Sequence, residues 1–335
     1  MYQREYERRV RTAVVGIGSH SYRNILPALH FLPVELKAVC NRSNRDMAEK
    51  TAAEYGCRWY QDTEEMYRNE DLDAVLFCVS ADRHPSLIKE AFSHGIHAWA
   101  EKPLAVNSLQ IEELISLRNG LVAMAGYKKA FMPAVRKALE VIHSKEYGNL
   151  QSMLAVYPVR IPEGNTKDWL NNGCHPLSVL LAAGGKVDSA VSLRNESGSG
   201  SSVLFFENGT VGTLLHACGP QPLEDYHFYA PSWHLQIDNT SKVILQRGIP
   251  SVYGRTTSFV PEGFDSGALV WEAQNCKATL ENMSFFLQGI YDELLEFFTC
   301  ILENRIPQTG SLEFALELTK VYEALMESRG NRIDL

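Results

Sequence analysis

The sequence predicts an α/β protein: a doubly wound parallel sheet at the N-terminus, then an α+β domain built on an open, mostly antiparallel sheet. Three observations carry this. Short apolar runs alternate with helical patterns as far as about residue 125, which suits strands buried on both faces and joined by right-handed crossovers. A glycine turn, Gly16-Ile17-Gly18-Ser19-His20-Ser21, follows the first run and opens the first helix. Further on, strand-like runs follow one another through short turn signals, and such links cannot join parallel neighbours.

In chain order, TAVVGI, VELKAVC, CRWY, DAVLFCV, GIHAWA and LVAMAG read as buried strands. The segments DMAEKTAAEYG, HPSLIKEAFSHG and SLQIEELISLRNG between them read as helices, each closed by the stop signal of a glycine at Gly56, Gly95 or Gly120. After Gly126 the rhythm changes. A helix, PAVRKALEVIHSK, leads to a longer strand, QSMLAVYPVRI, and to a helical stretch near LNNGCHPLSVLLAAGG. VDSAVSLRNE, SSVLFFE, TVGTLLHA, WHLQIDN and SKVILQR then form hairpins through SGSG, ENG and DNTS. SFFLQGIYDELLEFFTCILENR and LEFALELTKVYEALMES close the chain as helices.

At 335 residues the chain exceeds the ~250 to 300 at which single cores stop growing, so two domains are expected. Apolar residues make up 45% and charged residues 21%, the composition of a globular protein. A net charge of −8 without a basic tract argues against nucleic acid or an anionic membrane as partner, while leaving room for a local anion pocket. The segment MYQREYERRVRTAVVG lacks a signal-like apolar stretch, and no uncharged apolar run reaches ~18 residues, so neither secretion nor membrane spanning is expected. The seven cysteines include no CxxC pair, which signals neither a disulfide framework nor a metal site and points to a reducing cytoplasm. Asn195, Asn208, Asn239 and Asn282 head Asn-x-Ser/Thr triplets without meaning in that compartment, and Asn208-Gly209 reads as a hairpin turn.

The chemistry begins at the glycine turn. Gly16 permits the tight bend, and Gly18 lets backbone approach a pyrophosphate whose charge meets the N–H groups at the helix start, the stretch of Ser19, His20 and Ser21. Ser21 stands where Gly or Ala is usual and is small enough to pack. The second strand ends Asn41-Arg42-Ser43, where an acidic residue would accept a ribose hydroxyl of NAD. Asn41 is not acidic, and the Arg42 guanidinium suits a 2′-phosphate. NADP is therefore favoured; NAD stays possible, with Asn41 on a ribose hydroxyl and Arg42 an ordinary turn residue. The fifth strand leaves through Glu101-Lys102-Pro103 at the carboxyl edge of the sheet, where ligands bind in open α/β folds. A lysine there can donate to a substrate oxygen, although the tripeptide alone reads better as a solvated ion pair.

With these motifs the sequence resembles the Gfo/Idh/MocA family, named for glucose-fructose oxidoreductase and inositol dehydrogenase, over nearly the whole chain. The matching pieces are the glycine turn, Ser80-Ala81-Asp82-Arg83-His84, Glu101-Lys102-Pro103, Gly126-Tyr127-Lys128-Lys129-Ala130-Phe131-Met132-Pro133 and Asn171-Asn172-Gly173-Cys174-His175, with Asp292 to Phe298 and Asn304-Arg305-Ile306-Pro307 in the final helices. The resemblance implies a Rossmann domain over residues 1–126 and an α+β domain for substrate binding and oligomerisation over 127–335. It implies that Ser80, His84 and Glu101 join the glycine turn in holding NAD(P), that Lys102 contacts both nicotinamide and the reacting hydroxyl, and that His175 is the main acid/base residue. Histidine suits that task because its ordinary pKa lies near ~6.5.

The sequence departs from the family four residues before His175, where Asp is usual and this chain has Asn171. At i and i+4 the two share a helix face. Asn171 can bind a substrate oxygen but carries no charge, which leaves proton transfer to Lys102 and His175. Tyr127 and Lys128, after the last Rossmann strand, and Trp169, before the His helix, are substrate-binding candidates, with domain packing or surface charge as the plainer readings. The function implied is hydride transfer between nicotinamide and a secondary hydroxyl or ketone of a sugar, cyclitol or sugar derivative. A glycoside-cleaving enzyme working through a transient keto-sugar and a cofactor-binding regulator without turnover are the alternatives. A homodimer or homotetramer is expected, with the apolar alternation of SSVLFFE and TVGTLLHA offering a subunit face.

Overall fold

The computed structural model describes residues 6–158, 166–196, 198–216, 223–248, 251–253, 255–256, 267–273 and 283–335, with backbone only over 166–169, 251–252 and 255–256. The chain forms two compact units: residues 1–128 with 284–319, and residues 129–283 with 320–335.

The first unit is a six-stranded sheet in the order β3-β2-β1-β4-β5-β6, built from β1 (Val10–Val15), β2 (Val34–Cys40), β3 (Arg58–Tyr60), β4 (Ala74–Phe77), β5 (His97–Glu101) and β6 (Ala123–Gly126). Every pair is parallel. The order reverses beside β1, which places a crevice at the carboxyl ends of β1 and β4. The central strands are buried on both faces, and Ala13, Val14, Val75, Leu76 and Phe77 have no exposed surface. The helices are α1 (Leu26–Leu29), α2 (Arg45–Tyr55), α3 (Thr63–Asn69), α4 (His84–Ser93) and α5 (Ser108–Leu117). Asn44, Asp62 and Asn107 cap α2, α3 and α5 by accepting from Met47, Glu65 and Gln110 N–H at 3.0, 2.9 and 3.0 Å. Helix α3 escapes sequence reading because Thr63–Asn69 is too short to show periodicity.

The closing helices break where one continuous helix is expected. Gly289 takes φ +84° between α8 (Ser284–Leu287) and α9 (Ile290–Glu303). Helix α9 packs on β1 and β6. Just before α10 (Leu312–Ser328), Gly310 O accepts Ala125 N–H at 2.7 Å. These contacts bring residues 284–319 back to the first sheet.

The second unit is a nine-stranded sheet in the order β16-β13-β12-β11-β7-β10-β9-β8-β17. Its strands are β7 (Ser152–Tyr157), β8 (Val187–Arg194), β9 (Gly200–Phe206), β10 (Val211–His216), β11 (Asp225–Ala230), β12 (Trp233–Asp238), β13 (Lys242–Arg247), β16 (Leu269–Glu272) and β17 (Ile333–Asp334), and a separate ladder joins β14 (Ser251–Val252) to β15 (Arg255–Thr256). One link is parallel. β10 lies beside β7 in the same direction because the chain between them passes through helix α7 (Thr166–Gly184) and the β8–β9 hairpin. Helix α6 (Pro133–Ile142) covers β12 and β13, and α7 covers β7 and β10. A Cβ at Gly184 would meet the Phe206 ring at 2.6 Å, so α7 lies close on the sheet. Strand β11, DYHFYA, is absent from the sequence reading because polar side chains fill its outer face. No helix among the described residues is long and apolar enough to cross a membrane.

Candidate functional site

The glycine turn is shaped by its neighbours. Gly16 holds φ +94°, and a Cβ there would stand 2.4 Å from Cys78 O. At Gly18 an added Cβ meets nothing within 4 Å, so backbone faces open space. Ser21 does more than pack: its Oγ accepts Gly18 N–H at 2.8 Å and donates to Gly18 O at 3.0 Å. The helix opens with a wide turn, Ser21–Ile25, in which Leu26 N–H reaches Ser21 O.

Asn41 fastens this turn to β2, its Nδ2 donating to Ile17 O at 3.0 Å while Ser43 Oγ donates to Asn41 Oδ1 at 3.4 Å. Beyond it a cavity of about 640 Å³ opens at the carboxyl ends of β1 and β2, where the guanidiniums of Arg42 and Arg83 share the lining with Gly16 and the carboxylates of Asp62, Glu64 and Glu90. Arg42 is exposed there. Its fellow guanidinium, Arg83, lies on the turn after β4, where Ser80 O accepts Arg83 N–H at 2.9 Å. The cradle that a Cβ at Gly16 would fill, the open approach at Gly18 and two arginines in one cavity fit a dinucleotide.

Glu101 closes the crevice on the other side. His20, from the glycine turn, places Nε2 2.6 Å from Glu101 Oε1, and Glu101 Oε2 accepts Lys102 N–H at 3.0 Å. Burial pushes the Glu101 carboxyl up, but contact with His20 and the charges of Lys102 and Lys128 outweigh it and hold the group below the usual carboxylate range. His84 has no exposed surface and sets Nδ1 3.1 Å from Pro103 O, so it fixes the exit of this segment, and burial lowers its pKa. Glu293 of α9 lies within the electrostatic reach of Glu101, and burial first, then the Glu101 charge, push its carboxyl well above the usual carboxylate range. Tyr127 is wholly buried, with its ring 5.9 Å from Phe314.

In the second unit α7 carries the histidine. His175 is 7% exposed with its ring 6.3 Å from Tyr157 at the end of β7, and Asn171, one turn earlier, is exposed. Trp169 lies on α7, but its side chain falls outside the described residues. A buried ion pair joins Lys129 to Glu224, with side chains 5% and 7% exposed, and Glu224 Oε2 accepts Tyr226 OH at 3.4 Å. Burial, then the Glu224 charge, push the Tyr157 hydroxyl up, so it stays protonated and can donate. Among the described residues no group of three or more His, Cys, Asp and Glu could hold a metal ion.

A buried chain beneath the same sheet gives a pH prediction. Ser202 Oγ donates to Ser192 Oγ at 3.1 Å and lies 2.5 Å from His216 Nε2, and burial, aided by the Arg194 charge, lowers the His216 pKa to about 4. An unfolded histidine titrates near ~6.5, so between these values the unfolded state binds the extra proton and stability falls as pH falls. The full loss is about 3 kcal/mol at the low end of that window. Urea unfolding at pH 7 and pH 4.5 should show a smaller decline for His216→Gln than for the unaltered protein; equal declines would refute the assignment.

Gly16, Gly18, Ser19, His20, Ser21, Asn41, Arg42, Ser43, Ser80, His84, Glu101 and Lys102 thus gather on the first unit, at or beside the carboxyl edge of its sheet. Lys128 ends that unit, and Asn171 and His175 belong to the second. Sequence reading missed Arg83 as a cavity residue, Tyr157, and the Lys129–Glu224 pair, whose members are 95 residues apart. The only trace of the last was the doubled lysine, Lys128-Lys129.

Similarity to known proteins agrees with this geometry. Two Bacillus subtilis enzymes resemble the chain: a scyllo-inositol 2-dehydrogenase (NADP(+)) at 28% identity over 44% of this chain and 45% of that enzyme, and a scyllo-inositol 2-dehydrogenase (NAD(+)) at 29% identity over 42% of each. The matched stretches span less than half the length of these relatives. A dehydrogenase from Chromobacterium violaceum has the same fold, with a TM-score of 0.80 at 18% identity over 96% of this chain and 95% of that one. Residues 10–127 match the model of the Gfo/Idh/MocA oxidoreductase family, which has an NAD-binding Rossmann fold.

Proposed function

We propose that the protein is an NAD(P)-dependent oxidoreductase acting on a secondary hydroxyl or ketone of a sugar, cyclitol or sugar derivative. The observation that carries this is the contact between His20 and Glu101, which sets the phosphate cradle beside the strand end that bears Lys102. Gly16, Gly18 and the N–H groups of the helix start would hold the pyrophosphate, and Asn41 and Arg42 the adenosine ribose. A bound nicotinamide supplies the two-electron acceptor or donor. Lys102 donates to the substrate oxygen and stabilises charge there. His175 takes the hydroxyl proton in oxidation and returns it in reduction. Asn171 orients a substrate oxygen without taking up a proton. The relatives' names support a cyclitol or sugar. The test is a screen of sugars and cyclitols, scyllo-inositol and myo-inositol included, in both directions with both cofactors, read by absorbance of the reduced nicotinamide. Binding of cofactor without turnover of any would favour a regulator instead.

NADP is the preferred form in this reading, because Arg42 and Arg83 share the cavity that begins at Asn41 and no carboxylate stands at Asn41 itself. A charge-assisted hydrogen bond contributes ~1.5 to 3 kcal/mol, about tenfold or more in affinity. Arg42→Ala should therefore weaken NADP roughly tenfold while leaving NAD within about twofold. Equal loss for both cofactors, or tighter NAD binding by the unaltered protein, would remove the preference.

A further inference from the structure

The glycine turn carries a histidine that both neighbours hold by its ring nitrogens. Asn24 Nδ2 stands 3.1 Å from His20 Nδ1. An amide nitrogen can only donate, so Nδ1 accepts, and the ring proton sits on Nε2. That nitrogen lies 2.6 Å from Glu101 Oε1, and Glu101 Oε2 takes Lys102 N–H at 3.0 Å. The chain Asn24, His20, Glu101, Lys102 therefore runs from the first helix to the backbone of the lysine to which the proposed reaction assigns the substrate oxygen. With Nδ1 against Asn24 and Nε2 buried 2.6 Å from Glu101 Oε1, the imidazole leaves no ring nitrogen open to a phosphate.

We propose that His20 is a positioning residue for Lys102, acting through Glu101, and not a ligand of the cofactor. This rests on the oxidoreductase reading for its catalytic consequence. Orientation of the group beside a reacting atom controls rate steeply, and a misplacement of about 1 Å costs up to ~100-fold. The carboxylate of Glu101 sets one oxygen against His20 and the other on Lys102 N–H, so losing His20 removes one of the contacts that fix its rotation. The side chain of His20 is 40% exposed, so truncating it leaves no core cavity and does not threaten folding.

The test compares His20→Ala with His20→Gln, whose amide can donate to Glu101 in place of Nε2. His20→Ala should lower kcat about tenfold with the NADP Kd within about threefold. His20→Gln should recover most of that loss. A loss that appears in NADP Kd instead of kcat would make His20 a cofactor ligand, and a glutamine variant as slow as the alanine one would make the imidazole a chemical participant; either result overturns the proposal. Acetylation of Lys102 by an amine-reactive ester, read by mass spectrometry, does not need turnover. Its rate should change at least about threefold in His20→Ala and return in His20→Gln. If no sugar or cyclitol is turned over by the unaltered protein, the oxidoreductase reading fails, and the labelling comparison still decides whether His20 positions Lys102.

Discussion

His175→Ala is expected to lower turnover by ~100-fold or more, the usual contribution of a positioned acid/base group. The side chain sits on α7 beneath the sheet, 7% exposed, against the Tyr157 ring, and thus holds a single orientation at the end of β7. Asn171 one turn earlier cannot take over, since an amide neither accepts nor releases a proton in this range. If His175 carries the proton, the loss falls on kcat and on kcat/KM alike, because the interaction is made in the transition state and the ground state has little of it. Cofactor affinity should stay unchanged, since the residues proposed to hold the dinucleotide all belong to the first unit. Steady-state rates with the substrate found by screening, alongside NADP binding, check this, and near-normal turnover would reject the role. Asn171→Asp offers the complementary variant: restoring a carboxylate one turn before His175 changes the pH profile of turnover if the two side chains serve the same step.

Much of the first unit is legible because its physics is local. Each buried parallel strand is an unbroken apolar run, Asn or Asp caps and glycine stops punctuate the helices, and the turn at Gly16 needs a residue without Cβ. The second unit is less legible where the two faces of its sheet differ. Strand β11 alternates Asp225, His227 and Tyr229 with buried Tyr226 and Phe228, a pattern that its polar half disguises. The parallel pairing of β7 with β10 depends on where the chain returns after α7, which local pattern does not encode. Site residues divide in the same way. Those held by a motif, from Gly16 to Lys102, could be named in advance. Those defined by long-range contact could not: nothing near His20 announces Glu101, and nothing near Lys129 announces Glu224.

Glu224→Leu is expected to destabilise the second unit by about 3 to 5 kcal/mol, because it breaks the buried ion pair with Lys129 from one side. Both side chains are more than nine-tenths buried, and Tyr226, which donates to Glu224, has no exposed surface, so water cannot readily take the place of the carboxylate. Lys129→Met should cost a similar amount for the mirrored reason. The double variant Lys129→Met/Glu224→Leu is expected to lose much less than the sum, since desolvating the pair already consumes most of what its attraction returns. Urea unfolding of the four proteins measures this coupling, and additive losses would show that the two charges do not act as a pair.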